Sequence, residues 1–314
     1  MPADSQIHVE VIRSAVAAEE TAKVCRRPGA TLGYWAIRGL GSPLRLLLHY
    51  LQVDFVDRRY VQGDYDAEVP YSRDAWLSEK HKLGLDFPNL PYWIENGNDE
   101  RGRERRVRLT ETLPIMRYLC RRYGERAERT DAAKAFRLGV DDAQVDMLAN
   151  VSMDVRHAMS RCFYSSQNEQ QAVHAYQEGI VPKLVLLESY CRRHQVAVRD
   201  EQAPPRPFLA GTQVSYVDLF LAETLDQLQA CIPNALDAFP HLSQLRSHVW
   251  NLERVQQFLA SELYIASPAN NRVAFLGSSS QLPPPSKLPS LQLPRETVDG
   301  AHQAVAQSYR IGEG

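Results

Sequence analysis

The sequence offers little from which to build covalent staples, metal sites or a membrane anchor. Its five cysteines (Cys25, Cys120, Cys162, Cys191 and Cys231) are odd in number, widely spaced and free of any CxxC pair. That pattern suits free thiols in a reducing compartment and supplies neither a disulfide framework nor a zinc site. The nine histidines form no HExxH and no serine lies in GxSxG, so neither a metalloprotease nor a serine-hydrolase signature is present. No apolar run approaches the roughly 20 residues that a membrane span requires. The N-terminal stretch lacks the apolar core of a signal peptide, and Asp4, Glu10, Glu19 and Glu20 make it too acidic for a transit peptide, so the expected location is the cytoplasm. A formal net charge of -2 lacks the basic excess of nucleic-acid and membrane-surface binders. The Arg-rich stretches at 101–108 and 121–129 are interspersed with acidic residues and read as solvated surface.

What the chain does have is ordinary globular composition, 44% hydrophobic and 24% charged, over 314 residues, enough for two cores. Residues 1–29 are polar and Ala-rich and read as a disordered extension. Residues 31–37 read as a strand, followed by a glycine-bracketed turn. Ser42-Pro43 is a helix start, with Ser as N-cap and Pro in the first turn, and Leu44, Leu47, Leu48 and Leu51 follow at helical spacing. Residues 55–60 form a second strand, 61–71 a polar loop, and a helix carries Trp76 and Leu77. Because X-Pro bonds alone tolerate cis geometry at low cost, Leu90-Pro91 is a candidate cis turn exposing backbone groups to a ligand. A hairpin (91–95 and 106–109) and a helix opening at Thr110 or Glu111 and running to Cys120 complete the order βαβ-α-ββα. Residues 131–263 are helical in pattern, with breaks at Gly179, near Pro204-Pro205 and at Pro240, and with a capping box at Ser215–Asp218. Residues 278–314, rich in Ser, Pro and Gln, read as a disordered tail.

Residue chemistry alone stops at an α/β domain followed by an all-α domain. Gly39-Leu40-Gly41 lacks the third glycine of a dinucleotide loop and reads as a tight turn. Tyr34-Trp35 at a strand end, and Trp76 and Phe87, are ordinarily core or rim aromatics, and Glu111-Thr112 an ordinary helix start.

Several collinear stretches over about residues 31–277 nevertheless resemble the cytosolic glutathione S-transferases, in particular the mu class. They are Thr31-Leu32-Gly33-Tyr34-Trp35-Ala36-Ile37-Arg38-Gly39-Leu40, Ala75-Trp76-Leu77-Ser78-Glu79-Lys80 and Lys82-Leu83-Gly84-Leu85-Asp86-Phe87-Pro88-Asn89-Leu90-Pro91, with Phe208-Leu209-Ala210-Gly211, Ser215–Asp218 and Leu236-Asp237-Ala238-Phe239-Pro240. The resemblance implies a thioredoxin-like glutathione-binding domain at 30–122. It further implies an all-helical domain at 123–277 for electrophile binding and dimerisation.

It also implies a reaction, the conjugation of glutathione to hydrophobic electrophiles in detoxification, with glutathione as co-substrate and no cofactor or metal. Tyr34 matches the family's catalytic tyrosine. A phenol with a pKa of about 10 stays protonated at neutral pH and donates a hydrogen bond to a thiolate. Lowering a thiol pKa by about two units needs roughly 2.7 kcal/mol of thiolate stabilisation. One charge-assisted hydrogen bond of about 1.5–3 kcal/mol covers most of that, and the positive end of the helix at Ser42-Pro43 adds a few tenths. Trp35, Arg73, Trp76 and Lys80 match positions lining the glycine end of glutathione. Leu90 before Pro91 matches the backbone partner of its cysteinyl part, and Leu40 and Asn89 match further contacts. Glu111-Thr112 replaces the mu-class Gln-Ser; the threonine and the helix N-terminus suit the γ-glutamyl carboxylate, and Glu111 suits the ammonium while adding negative charge beside that carboxylate. Asp154 matches a residue reaching the ammonium in the other subunit of a homodimer, and Tyr164 a tyrosine at the electrophile site. Phe87 and Arg117 match the interface key and an arginine near the two-fold axis. The loop before Arg73, the hairpin loop 96–105 and the stretch 125–144 are longer than in the mu pattern. Two other readings share these residues: a glutathione-dependent isomerase of the prostaglandin-synthase (sigma) type, and a catalytically weak glutathione- or ligand-binding protein.

Overall fold

The computed structural model describes residues 7–64, 67–98, 101–127, 142–196, 207–278 and 290–311. The chain divides into two compact units, Met1–Arg126 with Gln257–Arg272, and Ala127–Gln256 with Val273–Gly314.

The first unit is a five-stranded sheet of order β1-β3-β2-β4-β5. Its strands are β1 (Ile7–Ile12), β2 (Gly29–Trp35), β3 (Phe55–Tyr60), β4 (Tyr92–Asn98) and β5 (Glu104–Thr110). β3 runs parallel to both β1 and β2, whereas β4 is antiparallel to β2 and to β5. Helices α1 (Ala18–Arg26), α2 (Ser42–Tyr50), α3 (Asp74–Leu77) and α4 (Thr112–Ala127) accompany them. From β2 onward the order is the expected βαβ-α-ββα, and Leu90-Pro91 is cis. In α2, Leu44, Leu46, Leu47 and Leu48 are fully buried. Burying each of them is worth roughly 1.5–3 kcal/mol, which anchors the helix.

The second unit is helical: α5 (Asp142–Ser165), α6 (Glu169–Ala175), a π turn (Tyr176–Ile180), α7 (Val181–Val196), α8 (Tyr216–Cys231), α9 (Pro240–Trp250), α10 (Glu253–Leu259, whose last turn belongs to the first unit) and α11 (Arg295–Ile311). α8 is the buried axis, and its start is fixed as the sequence indicates. Asp218 accepts hydrogen bonds from the Ser215 N–H and hydroxyl at 2.7 and 2.6 Å and from the Leu209 N–H at 2.7 Å. Burial pushes the Asp218 carboxyl up to about 6, against those hydrogen bonds, which lower it.

Several expectations need correction. Residues 1–29 are not a disordered extension over their described part. Ile7-His8-Val9-Glu10-Val11-Ile12 carries four β-branched residues in six and pairs along the whole of β3, and α1 packs after it. The tail 278–314 also contains a helix, α11. Its inward residues Thr297, Ala301 and Val305 are small and four apart, so they make a narrow stripe that reads poorly as apolar periodicity. Leu291 and Leu293 ahead of α11 are buried as well. Gly179 does not break the helix; the chain passes through it in the π turn and continues as α7. Ser42 is the first residue of α2, not its cap; Gly41 holds the cap position and makes no side-chain cap bond. Residues 257–272 group with the first unit and not with the helical domain. They are tied there by Arg38 and Gly39 N–H bonds to the Pro268 and Ala269 carbonyls at 3.1 and 3.0 Å, and by Arg59 donating to the Glu262 carbonyl at 3.0 Å. The break near Pro204-Pro205, residues 1–6, 128–141 of the stretch 125–144, and 279–289 of the tail lie outside the described residues.

Candidate functional site

Tyr34 lies near the end of β2, where the strand passes into the turn 36–41. Its phenolic oxygen accepts a hydrogen bond from the Leu40 N–H at 2.9 Å. An oxygen that accepts from the backbone is polarised as a donor. The turn is shaped for this contact. Gly39 has φ +44°, and a Cβ there would lie 2.6 Å from the Tyr34 hydroxyl; a Cβ at Gly41 would lie 2.4 Å from the ring. Only glycines allow the chain to wrap this closely around the phenol. The Leu40 carbonyl in turn accepts from the Thr112 hydroxyl at 3.3 Å, so one residue, Leu40, connects Tyr34 to the start of α4.

Two buried arginines that sequence reasoning passed over shape the surroundings. Arg45, fully buried on α2, donates to Asp57 on β3 at 2.8 Å and to the carbonyls of Ile37 and Trp35 at 3.0 and 3.3 Å. It therefore pins both ends of the segment that leaves Tyr34. The usable signal was a charge inside a leucine run, answered by an aspartate in the next strand. Arg58 on β3 binds Glu79 through Nε and Nη2, both at 3.1 Å. The Tyr60 hydroxyl also donates to Glu79 and lies 2.8 Å from the Tyr92 hydroxyl. Burial, reinforced by the Glu79 charge, pushes the Tyr60 and Tyr92 hydroxyls far above the ordinary phenol value, which keeps both as neutral hydrogen-bonding groups.

Tyr34, Trp76 and Leu90 belong to one buried cluster with Ile37, Tyr60 and Tyr92, and Trp35 and Leu40 pack against it. Trp76 stacks on Tyr92 with centroids 5.9 Å apart and meets Tyr60 edge-on at 5.4 Å. Arg73 is exposed at the N-cap of α3, and Lys80 is partly buried on the turn after it, its N–H bonded to the Trp76 carbonyl at 3.0 Å. Pro91 is buried and Asn89 exposed; the Asn89 side chain donates to Glu111 at 3.1 Å. Glu111 has φ +71°, an unfavourable conformation for a glutamate and therefore a strained position directly before α4.

In the helical unit, Asp154 and Tyr164 both stand exposed on α5. Arg117 is partly buried on α4, and Phe87 is 81% exposed, extreme for a phenylalanine. Among the described residues no helix is long and apolar enough to cross a membrane.

The family model described as "Glutathione S-transferase, C-terminal domain" matches residues 153–262. The chain is 33% identical over 245 residues to Glutathione S-transferase Mu 2 of Mus musculus, covering 78% of this chain and 97% of that protein. It is 34% identical over 247 residues to Glutathione S-transferase Mu 1 of Bos taurus, covering 79% and 98%. Among solved structures, the glutathione S-transferase Blo t 8 shares the fold with a TM-score of 0.60 at 24% identity, covering 79% of this chain and 99% of that one.

Proposed function

Since the chain belongs to the glutathione S-transferase family, a family of transferases, we propose that it conjugates glutathione to hydrophobic electrophiles with Tyr34 stabilising the thiolate. The observation that carries this is the Leu40 N–H bond to the Tyr34 oxygen, which polarises the phenol as a donor toward sulfur. In the reaction the glutathione thiol loses its proton to solvent and the thiolate receives the Tyr34 hydrogen bond. The sulfur lone pair then forms the S–C bond while the electrophile's leaving group departs or its double bond takes up a proton.

The remaining assignments belong to the same proposal. Trp35, Arg73, Trp76 and Lys80 serve the glycine carboxylate, with Lys80 supplying the charge. Leu90, held by cis Pro91, offers its backbone to the cysteinyl part. The N-terminus of α4 at Thr112 receives the γ-glutamyl carboxylate, and Glu111 with Asn89 the ammonium. The strain at Glu111 supports a ligand-facing role for that residue. Asp154 reaches the ammonium held by the partner subunit, and Tyr164 faces the electrophile. The protein acts as a cytoplasmic homodimer in which exposed Phe87 inserts into the partner subunit and Arg117 lies near the two-fold axis; the 81% exposure of Phe87 supports that reading.

The test is ultraviolet difference titration of bound glutathione. Wild-type protein should ionise the thiol about two pH units below the ordinary value of about 8.5. Tyr34→Phe should restore the ordinary value and reduce turnover by roughly 10²-fold. A normal thiol pKa in the wild type, or a shift that survives Tyr34→Phe, would overturn the assignment. Light scattering of Phe87→Ala checks the dimer, and an unchanged monomer fraction would remove the key.

A further inference from the structure

The segment between β1 and β2 makes a set of contacts directed at one short stretch, residues 78–82, which follows Trp76 and contains Lys80. The Val16 N–H donates to the Ser78 hydroxyl at 2.8 Å. The Thr21 hydroxyl donates to Glu79 Oε2 at 3.1 Å, and the Cys25 thiol meets the Lys82 carbonyl at 3.6 Å. Val24, 1% exposed, packs in the cluster that holds Trp76, Leu83 and Leu85. β1 closes the other side: Glu10 accepts from Arg58 at 2.7 Å and from Arg27 at 2.6 Å, and Arg58 in turn grips Glu79.

Glu79 is fully buried, so its position is dictated by these partners and not by solvent. Its carboxylate takes four hydrogen bonds, from Arg58 twice, Tyr60 and Thr21. The backbone N–H groups of both Glu79 and Lys80 bond to the Trp76 carbonyl, at 3.2 and 3.0 Å. Any shift of Glu79 is therefore passed directly to the turn that bears Trp76 and Lys80. Burial alone would raise the Glu10 carboxyl, but hydrogen bonds from Arg27 and Arg58 outweigh it and keep Glu10 ionised, so the outer end of the network stays charged.

From this geometry we infer that Thr21 and Glu10, in the added N-terminal segment, are positioning residues that set glutathione affinity by holding Glu79 and hence Trp76 and Lys80. The inference rests on the assignment of Trp76 and Lys80 to the glycine carboxylate. It places the N-terminal segment in the binding half of the reaction and leaves the thiolate half, at Tyr34, untouched.

The test separates the two halves. In full-length protein, Thr21→Val should raise KM for glutathione about three- to tenfold, the weight of one hydrogen bond, with kcat changed less than about twofold. Thr21→Ser should restore KM, because it returns the hydroxyl, and Lys23→Ala, on the solvent side of the same helix, should leave KM unchanged. Glu10→Gln should move KM in the same direction as Thr21→Val, and it carries the test alone if Thr21→Val fails to fold. Calorimetric binding of S-methylglutathione, which has no ionisable thiol, should weaken in parallel with KM. An unchanged KM, an equal fall in kcat, or failure of Thr21→Ser to rescue would overturn the inference. Wild-type protein that binds S-methylglutathione but does not ionise bound glutathione would instead refute the Tyr34 assignment and leave this one standing.

Discussion

The two ends of the chain are folded by different physical means. The N-terminal segment is fixed by charge: Glu10 joins Arg27 to Arg58, Arg58 joins Glu10 to the fully buried Glu79, and Thr21 completes the Glu79 shell. The C-terminal helix α11 is fixed by small side chains and hydroxyls. Thr297, Ala301 and Val305 pack inward, Ser308 meets Ser189 at 2.6 Å, and the Tyr309 hydroxyl donates to Glu188 at 3.0 Å. Glu188 is already engaged by the His241 and Leu242 N–H groups at the start of α9, so α11 adds a bond to a satisfied carboxylate without creating a buried charge. Breaking up a buried ionic network strands a charge, which is costly. Thr297, Ala301 and Val305 carry no charge to strand, so their packing adds stability without that penalty. On this view the N-terminal segment determines geometry, and α11 supplies bulk.

That contrast is open to direct attack. The largest effect should come from Glu79→Ala, which leaves Arg58 buried without its main partner and should cost about 3–5 kcal/mol in urea unfolding. A cost under about 1 kcal/mol would mean that the network is solvent-screened and the contrast false. Next, Ala301→Leu overfills the interface of α11 and should cost about 1–3 kcal/mol while leaving KM for glutathione unchanged. A changed KM would show that α11, too, governs the site. Ser308→Ala should cost only about 1–2 kcal/mol by the same measurement, since two neutral hydrogen bonds, with the Ser189 hydroxyl and the Val305 carbonyl, are lost.

The finest probe is pH. The folded value of Glu10 lies below its ordinary 4.5, so its contribution is complete above that pH and is lost as pH falls through the folded value. The stability gap between wild type and Glu10→Gln should therefore be constant from neutral pH down to about 5 and shrink below it. A gap that widens on acidification would reverse the sign and remove Glu10 from the network.

The sequence made some of this legible and hid the rest for identifiable reasons. The strand at 55–60 and the capping box at Ser215–Asp218 announce themselves through local chemistry, and both form where expected. The cis bond at Leu90-Pro91 follows from the only residue type that permits it cheaply. Tyr34 gained its meaning from the neighbouring motif, because a strand-end tyrosine has no periodic signature of its own. β1 was missed although Ile7, Val9, Val11 and Ile12 are strand formers, since it follows a polar start and its partner β3 lies more than forty residues away in the chain. Arg58 and Glu79 were invisible for a deeper reason. A charged side chain in a sequence is read as solvent-facing, and only the fold reveals that these two are buried against each other.

The Leu40 residue carries a further consequence. Its N–H is fastened to the phenol of Tyr34 and its C=O to the hydroxyl of Thr112. The N–H and the C=O of Leu40 lie in two adjacent peptide planes joined at its α-carbon, so the two attachments fix both planes flanking that residue and with them its φ and ψ. Loss of the Thr112 hydroxyl would therefore free the plane that carries the Leu40 carbonyl and loosen the residue whose N–H polarises Tyr34.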